Sequence, residues 1–351
     1  MGRELNGPGS HIDLQTPSLD GAEEAFRPAW WLPGPHFQTL WPALFRRRGK
    51  PVLKRERLEL PDGDFLDLDW NGAGSSDNPF VLLLHGLEGS SASPYSWGLL
   101  AAFERRGWSA AVMHFRGCSG EPNRLARSYH SGETGDLAHV MEVIGRRFPN
   151  RVLFAAGVSL GGNVLLKWLG EGGSDAPLAG AAAVSVPFDL GQCADRLEKG
   201  FSKVYRRYFI KLLHQSVRSK FGTWRESPIN LEKLSAWRTF REFDEHVTSR
   251  LHGFDGAEDY YRRSSCGPFV ARIRIPTLIV QATNDPFLPG TTVLPRAPSS
   301  SVRLEAVPYG GHAGFVAGAV PGRPRYWLDD RIPGFFEEAL ALRKGCPPPS
   351  C

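Results

Sequence analysis

The feature that most narrows the possible folds is a recurring unit: a short unbroken apolar run, then a loop, then a segment with helical spacing. The runs begin at Phe80 (FVLLL), Ser109 (SAAVMHF), Val152 (VLFAAG), Gly180 (GAAAVSV), Thr277 (TLIVQA) and Val302 (VRLEAV). Apolar runs without alternation fit strands covered on both faces, and the helical segments between them supply the crossovers that parallel strands require. A mostly parallel sheet with helices on both faces, an α/β fold, is the expectation. Ahead of it, Leu66, Leu68 and Trp70 alternate with Asp67 and Asp69 after an Asp62-Gly63 turn, which predicts an antiparallel hairpin over Leu58 to Trp70.

The rhythm stops between Val186 and Ile275. There Phe201, Tyr205, Tyr208, Phe209, Leu212 and Leu213 recur at helical spacing while Lys203, Arg206, Arg207 and Lys211 take the other face. This amphipathic pattern, too long for a plain loop, reads as a helical cap inserted at about 186–275. On length alone, 351 residues would allow two domains. The insertion accounts for the surplus, so one domain is expected over 28–345, between a flexible arm at 1–27 and a tail at 346–351. The segment RPAWWLPGPHFQTLWPALFRRRGK has two readings: a Pro-bounded helical turn packed on the domain with a solvated basic end, or a membrane-surface or lid element.

Charge and cysteine content exclude little but exclude it clearly. A net +5, from 42 basic and 37 acidic residues, is too small an excess for a nucleic-acid footprint. Cys118, Cys193, Cys266, Cys346 and Cys351 are odd in number and none stands in CxxC spacing, which fits reduced thiols and a cytoplasmic setting. No export signal and no apolar stretch of membrane-spanning length is visible. There is no HxH, HExxH or paired CxxC, no Walker A lysine motif and no GxGxxG opening a helix, so neither metal nor cofactor is expected.

One motif carries chemistry. Gly157-Val158-Ser159-Leu160-Gly161 follows the run VLFAA and precedes GNVLLKWLGE, where Val164, Leu165, Trp168 and Leu169 keep helical spacing. Glycines at the flanking positions permit a sharp strand-to-helix turn that holds a serine hydroxyl out above a sheet. A hydroxyl becomes a nucleophile only with a base, and the base needs a carboxylate to set its tautomer. Asp285 follows TLIVQATN, and His312 follows VRLEAVPYGG between glycines, so the order is Ser, Asp, His with both partners just past strand ends. In such an arrangement an early strand-to-helix loop and the residue after the nucleophile supply the oxyanion-hole N–H groups. His85-Gly86-Leu87-Glu88-Gly89 is that loop, which assigns the donors to Leu87 and Leu160, with Gly86, Gly157 and Gly161 as the elbow and loop glycines.

These residues carry a resemblance. The chain resembles the YheT-like branch of the α/β-hydrolase superfamily in PHFQTLWP at Pro35, HGLEGSSASPYSWGLL at His85, MHFRGCSG at Met113, NRLARSYHSGETGDL at Asn123, GVSLGGNVLLKWLGE at Gly157, EFDEHVT at Glu242, GFDGAEDYYRRSS at Gly253 and NDPF at Asn284. The resemblance implies an α/β-hydrolase fold and esterase or lipase chemistry, with Ser159 as nucleophile, Asp285 as acid and His312 as base. Relatives often have a second Asp where this chain has Asn284. Animal relatives commonly carry an N-terminal membrane anchor and act on lipids such as phospholipids; this chain shows no such anchor and looks more like a bacterial soluble member.

The expected activity is therefore that of a serine carboxylesterase acting on short- or medium-chain acyl esters. Its substrate would be a small-molecule ester or lipid-like molecule. Acyl transfer or thioester cleavage through the same acyl-enzyme, a non-catalytic module that keeps the fold, and a peripheral membrane lipase touching anionic lipid through the Trp30 to Arg57 segment are the competing expectations.

Overall fold

The structure, a computed structural model, describes residues 25–46, 51–72, 78–172, 175–289 and 298–343. Residues 1–24 of the expected arm and the tail at 346–351 lie outside these ranges, as do Arg47, Arg48, Cys346 and Cys351.

All six apolar runs are strands, and the hairpin precedes them. β1 (Leu53–Glu59) and β2 (Phe65–Asn71) are followed by β3 (Phe80–Leu84), β4 (Ser109–Met113), β5 (Leu153–Val158), β6 (Gly180–Val184), β7 (Thr277–Ala282) and β8 (Val302–Val307). They form one sheet in the order β1-β2-β4-β3-β5-β6-β7-β8, with the β1–β2 and β2–β4 pairings antiparallel and every later pairing parallel.

Five of the six runs, β3 to β7, are buried on both faces as predicted; β8 is the edge strand and buries only Val302, which is why Arg303 and Glu305 are tolerated in it. On β3, Phe80, Leu82 and Leu84 point into one core with Leu137 and Val140 of α3 (Gly135–Arg147) and Val164 and Leu165 of α4 (Leu160–Gly172). Val81 and Leu83 point into the opposite core, with Leu99 and Phe103 of the helix Pro94–Glu104 and Ile332 and Phe336 of the helix Leu328–Arg343. Both faces of β3 are fully buried, so an alternating pattern would have placed polar groups in a core.

Between β6 and β7 the described chain is helical and contains no strand: Leu190–Leu197, Ser202–Phe221, Phe240–Phe243, Ser249–His252 and Ala257–Ser264 follow in order, with a π-helical turn at Asp244–Thr248. This segment has its own apolar cluster, including Leu213, Val217, Phe221, Phe243 and Val247. The apolar stripe of the helix Ser202–Phe221 is wider than the face it buries: Tyr205 and Leu213 are inside, while Phe201 and Tyr208 stay exposed.

The aromatic N-terminal segment forms α1 (Gly34–Phe45). It packs on the domain, but its basic end is only partly as expected. Arg46 is buried, ion-paired to Asp329 and stacked 3.9 Å from the Tyr326 ring centroid, so the one described arginine of the Arg46-Arg47-Arg48 cluster is an internal tie. Phe37, Leu44 and Phe45 remain exposed. Phe26, at the described end of the expected arm, packs against Phe315 and Trp327. Among the described residues no helix is long and apolar enough to cross a membrane, and no group of three or more His, Cys, Asp or Glu is placed to hold a metal ion.

Candidate active site

Ser159 sits where β5, a central strand, turns into α4. Its φ is +55°, a region costly for any residue with a Cβ, and the turn is held by Ser159 N–H donating to Val184 O at 2.8 Å. The flanking glycines have a steric reason. A Cβ on Gly157 would lie 2.4 Å from Gly161 O, and one on Gly161 would lie 2.5 Å from Leu84 O and 2.6 Å from His85 O. A Cβ on Gly86 would sit 3.3 Å from the Ser159 Cβ, so the early loop runs tight against the elbow.

In that loop the backbone donors are accounted for one by one. Gly86 N–H donates to the Tyr95 hydroxyl at 2.8 Å, Glu88 N–H to the Tyr129 hydroxyl at 2.9 Å and Gly89 N–H to Gly86 O at 2.9 Å. Among the described residues the N–H groups of Leu87 and Leu160 find no protein acceptor, and these are the two donors expected of an oxyanion hole. The α4 N-terminus adds its positive dipole end at the same place. His85 does not face the cavity chemistry: it is fully buried, bonds Gly86 O through Nδ1 at 2.7 Å and accepts from Phe115 N–H through Nε2 at 3.2 Å. Burial pushes it down to about 3, so it is a neutral brace under the loop.

Asp285 follows β7 and His312 follows β8, so both stand at the carboxyl edge of the sheet beside Ser159. His312 Nδ1 lies 2.8 Å from Asp285 Oδ2, which places the proton on Nδ1 and leaves Nε2 as the acceptor. Phe287 stacks on the imidazole, with centroids 3.9 Å apart, and its N–H donates to Asp285 Oδ1 at 2.8 Å, so one short turn holds both side chains. No hydrogen bond joins Ser159 Oγ to His312 in this structure; such bonds often tighten only in the substrate complex.

Ser159, Leu87, Leu160 and His312 line one cavity of about 390 Å³. The helical segment supplies its apolar wall, including Leu197, Phe209, Leu213, Val217, Phe243 and Val247. The same segment also carries buried polar groups to the cavity. Lys220 donates to Asn123 Oδ1 and Arg127 O, both at 2.6 Å, and burial pushes it down to about 8. Asp244 accepts from Thr248 and Tyr261 hydroxyls at 2.7 Å, and burial pushes it up to about 6.

Several residues around the site were not legible beforehand. Tyr95 and Tyr129 satisfy the oxyanion loop, Ser185 (φ +52°) accepts from Ala313 N–H at 2.9 Å, and Asn284 Oδ1 accepts from Gly311 N–H at 3.1 Å while its Nδ2 is buried without a partner. A carboxylate at 284 would accept the same bond without that orphaned donor. Of the other histidines, His114 pairs with buried Asp69 at 2.8 Å, His36 meets the Tyr205 hydroxyl at 3.1 Å, and His130 lines the cavity, pushed down to about 3 by burial. The described cysteines, Cys118, Cys193 and Cys266, are free thiols; Cys118 and Cys193 line the cavity, and burial holds all three above the usual thiol range.

The comparisons agree with this fold. The model of the alpha/beta hydrolase fold family matches residues 79–319. The protein YheT of Escherichia coli (strain K12), provisionally named an esterase, is 46% identical over 88% of this chain and 92% of its own length. Phospholipase ABHD3 of Homo sapiens is 30% identical over 90% of this chain and 79% of its own. A solved esterase of Pyrococcus furiosus, 15% identical, shares the fold with a TM-score of 0.52, covering 82% of this chain and 92% of that one. The chain belongs to the α/β-hydrolase superfamily, in its YheT-like branch.

Proposed function

We propose that this chain hydrolyses short- or medium-chain carboxylic esters through Ser159, His312 and Asp285. Ser159 Oγ attacks the ester carbonyl while His312 Nε2 takes its proton, and Asp285 orients the ring and stabilises the imidazolium. Charge developing on the carbonyl oxygen is met by the N–H groups of Leu87 and Leu160, worth about 3–4 kcal/mol for a good donor. His312 then protonates the departing alcohol, and the acyl-enzyme is released by water activated on the same nitrogen.

The observation that carries the reading is the His312–Asp285 bond at 2.8 Å above the cavity that Ser159 also lines. The relatives support an esterase activity in general. The apolar wall contributed by the segment 186–275, which we take as the cap of a single catalytic domain over 28–345, supports an acyl chain of modest length. A fluorophosphonate probe with peptide mapping tests the nucleophile, and p-nitrophenyl esters of increasing chain length test the acyl site. Labelling away from Ser159, or unchanged hydrolysis by Ser159→Ala, sinks the proposal; product analysis with an added alcohol separates hydrolysis from acyl transfer.

A further inference from the structure

The motif PHFQTLWP is the one conspicuous sequence feature that the chemistry above does not use. It lies on α1, and α1 reaches the loop that carries His312. Pro35, Gln38, Thr39 and Pro42 share one helix face, at spacings of three and four. Thr39 Oγ1 donates to Pro35 O at 2.7 Å and accepts from His312 N–H at 2.9 Å. Gln38, almost wholly buried, pairs both ways with Val316: its Oε1 accepts from Val316 N–H at 2.8 Å and its Nε2 donates to Val316 O at 3.1 Å.

The loop approaches α1 as closely as a backbone can. A Cβ on Gly314 would lie 2.1 Å from Gln38 O, and one on Gly311 would lie 2.6 Å from both Pro35 O and Thr39 Oγ1. The loop also needs holding. Ala313 and Phe315 sit at φ +53° and +42°, which costs energy that the surroundings must offset. Its N–H groups at 311, 312, 313 and 316 are taken by Asn284, Thr39, Ser185 and Gln38 respectively, so half of this external support comes from α1.

We propose that Gln38 and Thr39 are positioning residues for the base: α1 is a clamp that sets the backbone from which the His312 imidazole reaches Asp285 and Ser159. The proposal rests on the serine-hydrolase reading above. It also gives the motif a role other than that of a lid, since a helix bonded to the catalytic loop on this face cannot lift without taking the base with it.

The test compares Thr39→Val, Thr39→Ser and Ser159→Ala with the wild type in p-nitrophenyl butyrate hydrolysis across pH, with thermal melts to score the folded fraction. Thr39→Val leaves the His312 N–H unpaired, and kcat/KM falls roughly tenfold to a hundredfold, mostly in kcat. Thr39→Ser keeps the acceptor and restores kcat to within about threefold. Thr39→Ala carries the same expectation as Thr39→Val and replaces it if that variant does not fold. A Thr39→Val or Thr39→Ala enzyme within twofold of wild type, or one whose melting point falls while kcat stays, overturns the clamp. Full activity in Ser159→Ala overturns the underlying reading instead, so the two failures are told apart.

Discussion

The elbow that presents Ser159 and the loop that presents His312 occupy the same edge of the sheet but are built in opposite ways. The elbow is local. β5, the turn and α4 are contiguous, and the contacts that demand glycine at 157 lie within the motif itself. The loop at 310–316 is assembled from afar, with partners 273 and 278 positions away on α1, 128 away beyond β6 and 27 away beyond β7. A serine on a contiguous strand, turn and helix can be recognised from a pentapeptide, whereas a histidine loop held by three remote segments cannot.

The comparison can be broken or sharpened experimentally. The largest effect is expected for Ser159→Ala, which should lower kcat by a factor on the order of 10⁶, as loss of a triad nucleophile does, with little change in the melting temperature. Steady-state hydrolysis and fluorophosphonate labelling check it. Next come two glycine replacements with opposite signatures. Gly161→Ala drives a Cβ against Leu84 O and His85 O inside the sheet edge, and should cost several kcal/mol of stability, seen as a collapse of the cooperative thermal transition. Gly314→Ala meets Gln38 O on a peripheral helix that can give way. Its melting temperature should fall less while kcat/KM falls roughly a hundredfold from misplacement of the base. Equal melting losses in the two would erase the distinction between local and assembled.

A smaller effect is expected at the oxyanion loop. Tyr95→Phe removes the acceptor of Gly86 N–H, and an unpaired buried donor costs about 1–3 kcal/mol, so kcat should fall about tenfold with KM nearly constant. The smallest effect lies away from both regions, at Asp244. Its folded pKa of about 6 exceeds the ordinary 3.8, so the native state binds the extra proton and stability declines as pH rises from about 4 to about 6. Arg241, the nearest cation, is already engaged by Asp195 and Glu258. Asp244→Asn should therefore raise the melting temperature at pH 7–8, by up to about 2–3 kcal/mol of stability, and bring no gain at pH 4. Melts at the two pH values check this.

Much of the architecture was legible because burial on both faces leaves a direct mark on composition. Each of the six apolar runs became a strand, and the alternation at Leu66, Leu68 and Trp70 became β2 of the hairpin. The two-residue ladder of Val316–Ala317 with Arg325–Tyr326 was not foreseen, since it is too short to have a period. The functional face of α1 was missed for a different reason. Apolar spacing marks only the aromatic and aliphatic side of the helix, while the contacts to the His312 loop are made by Gln38 and Thr39, whose packing there depends on hydrogen bonds rather than on hydrophobicity. Arg46, read as solvated, is buried because Asp329 and the Tyr326 ring come to it from far along the chain.

By itself the sequence determined the sheet, its parallel sense and the serine elbow, because strand burial, crossover helices and the steric demand for glycine at 157 act between residues near one another in the chain. It also determined the order Ser159, Asp285, His312. Only the tertiary structure decided that His312 meets Asp285, that Leu87 is left as the unpaired donor of its loop, and that α1 packs on the loop carrying His312. Those facts depend on which remote backbone and side-chain groups satisfy one another when the sheet edge is assembled, and no local pattern encodes that pairing.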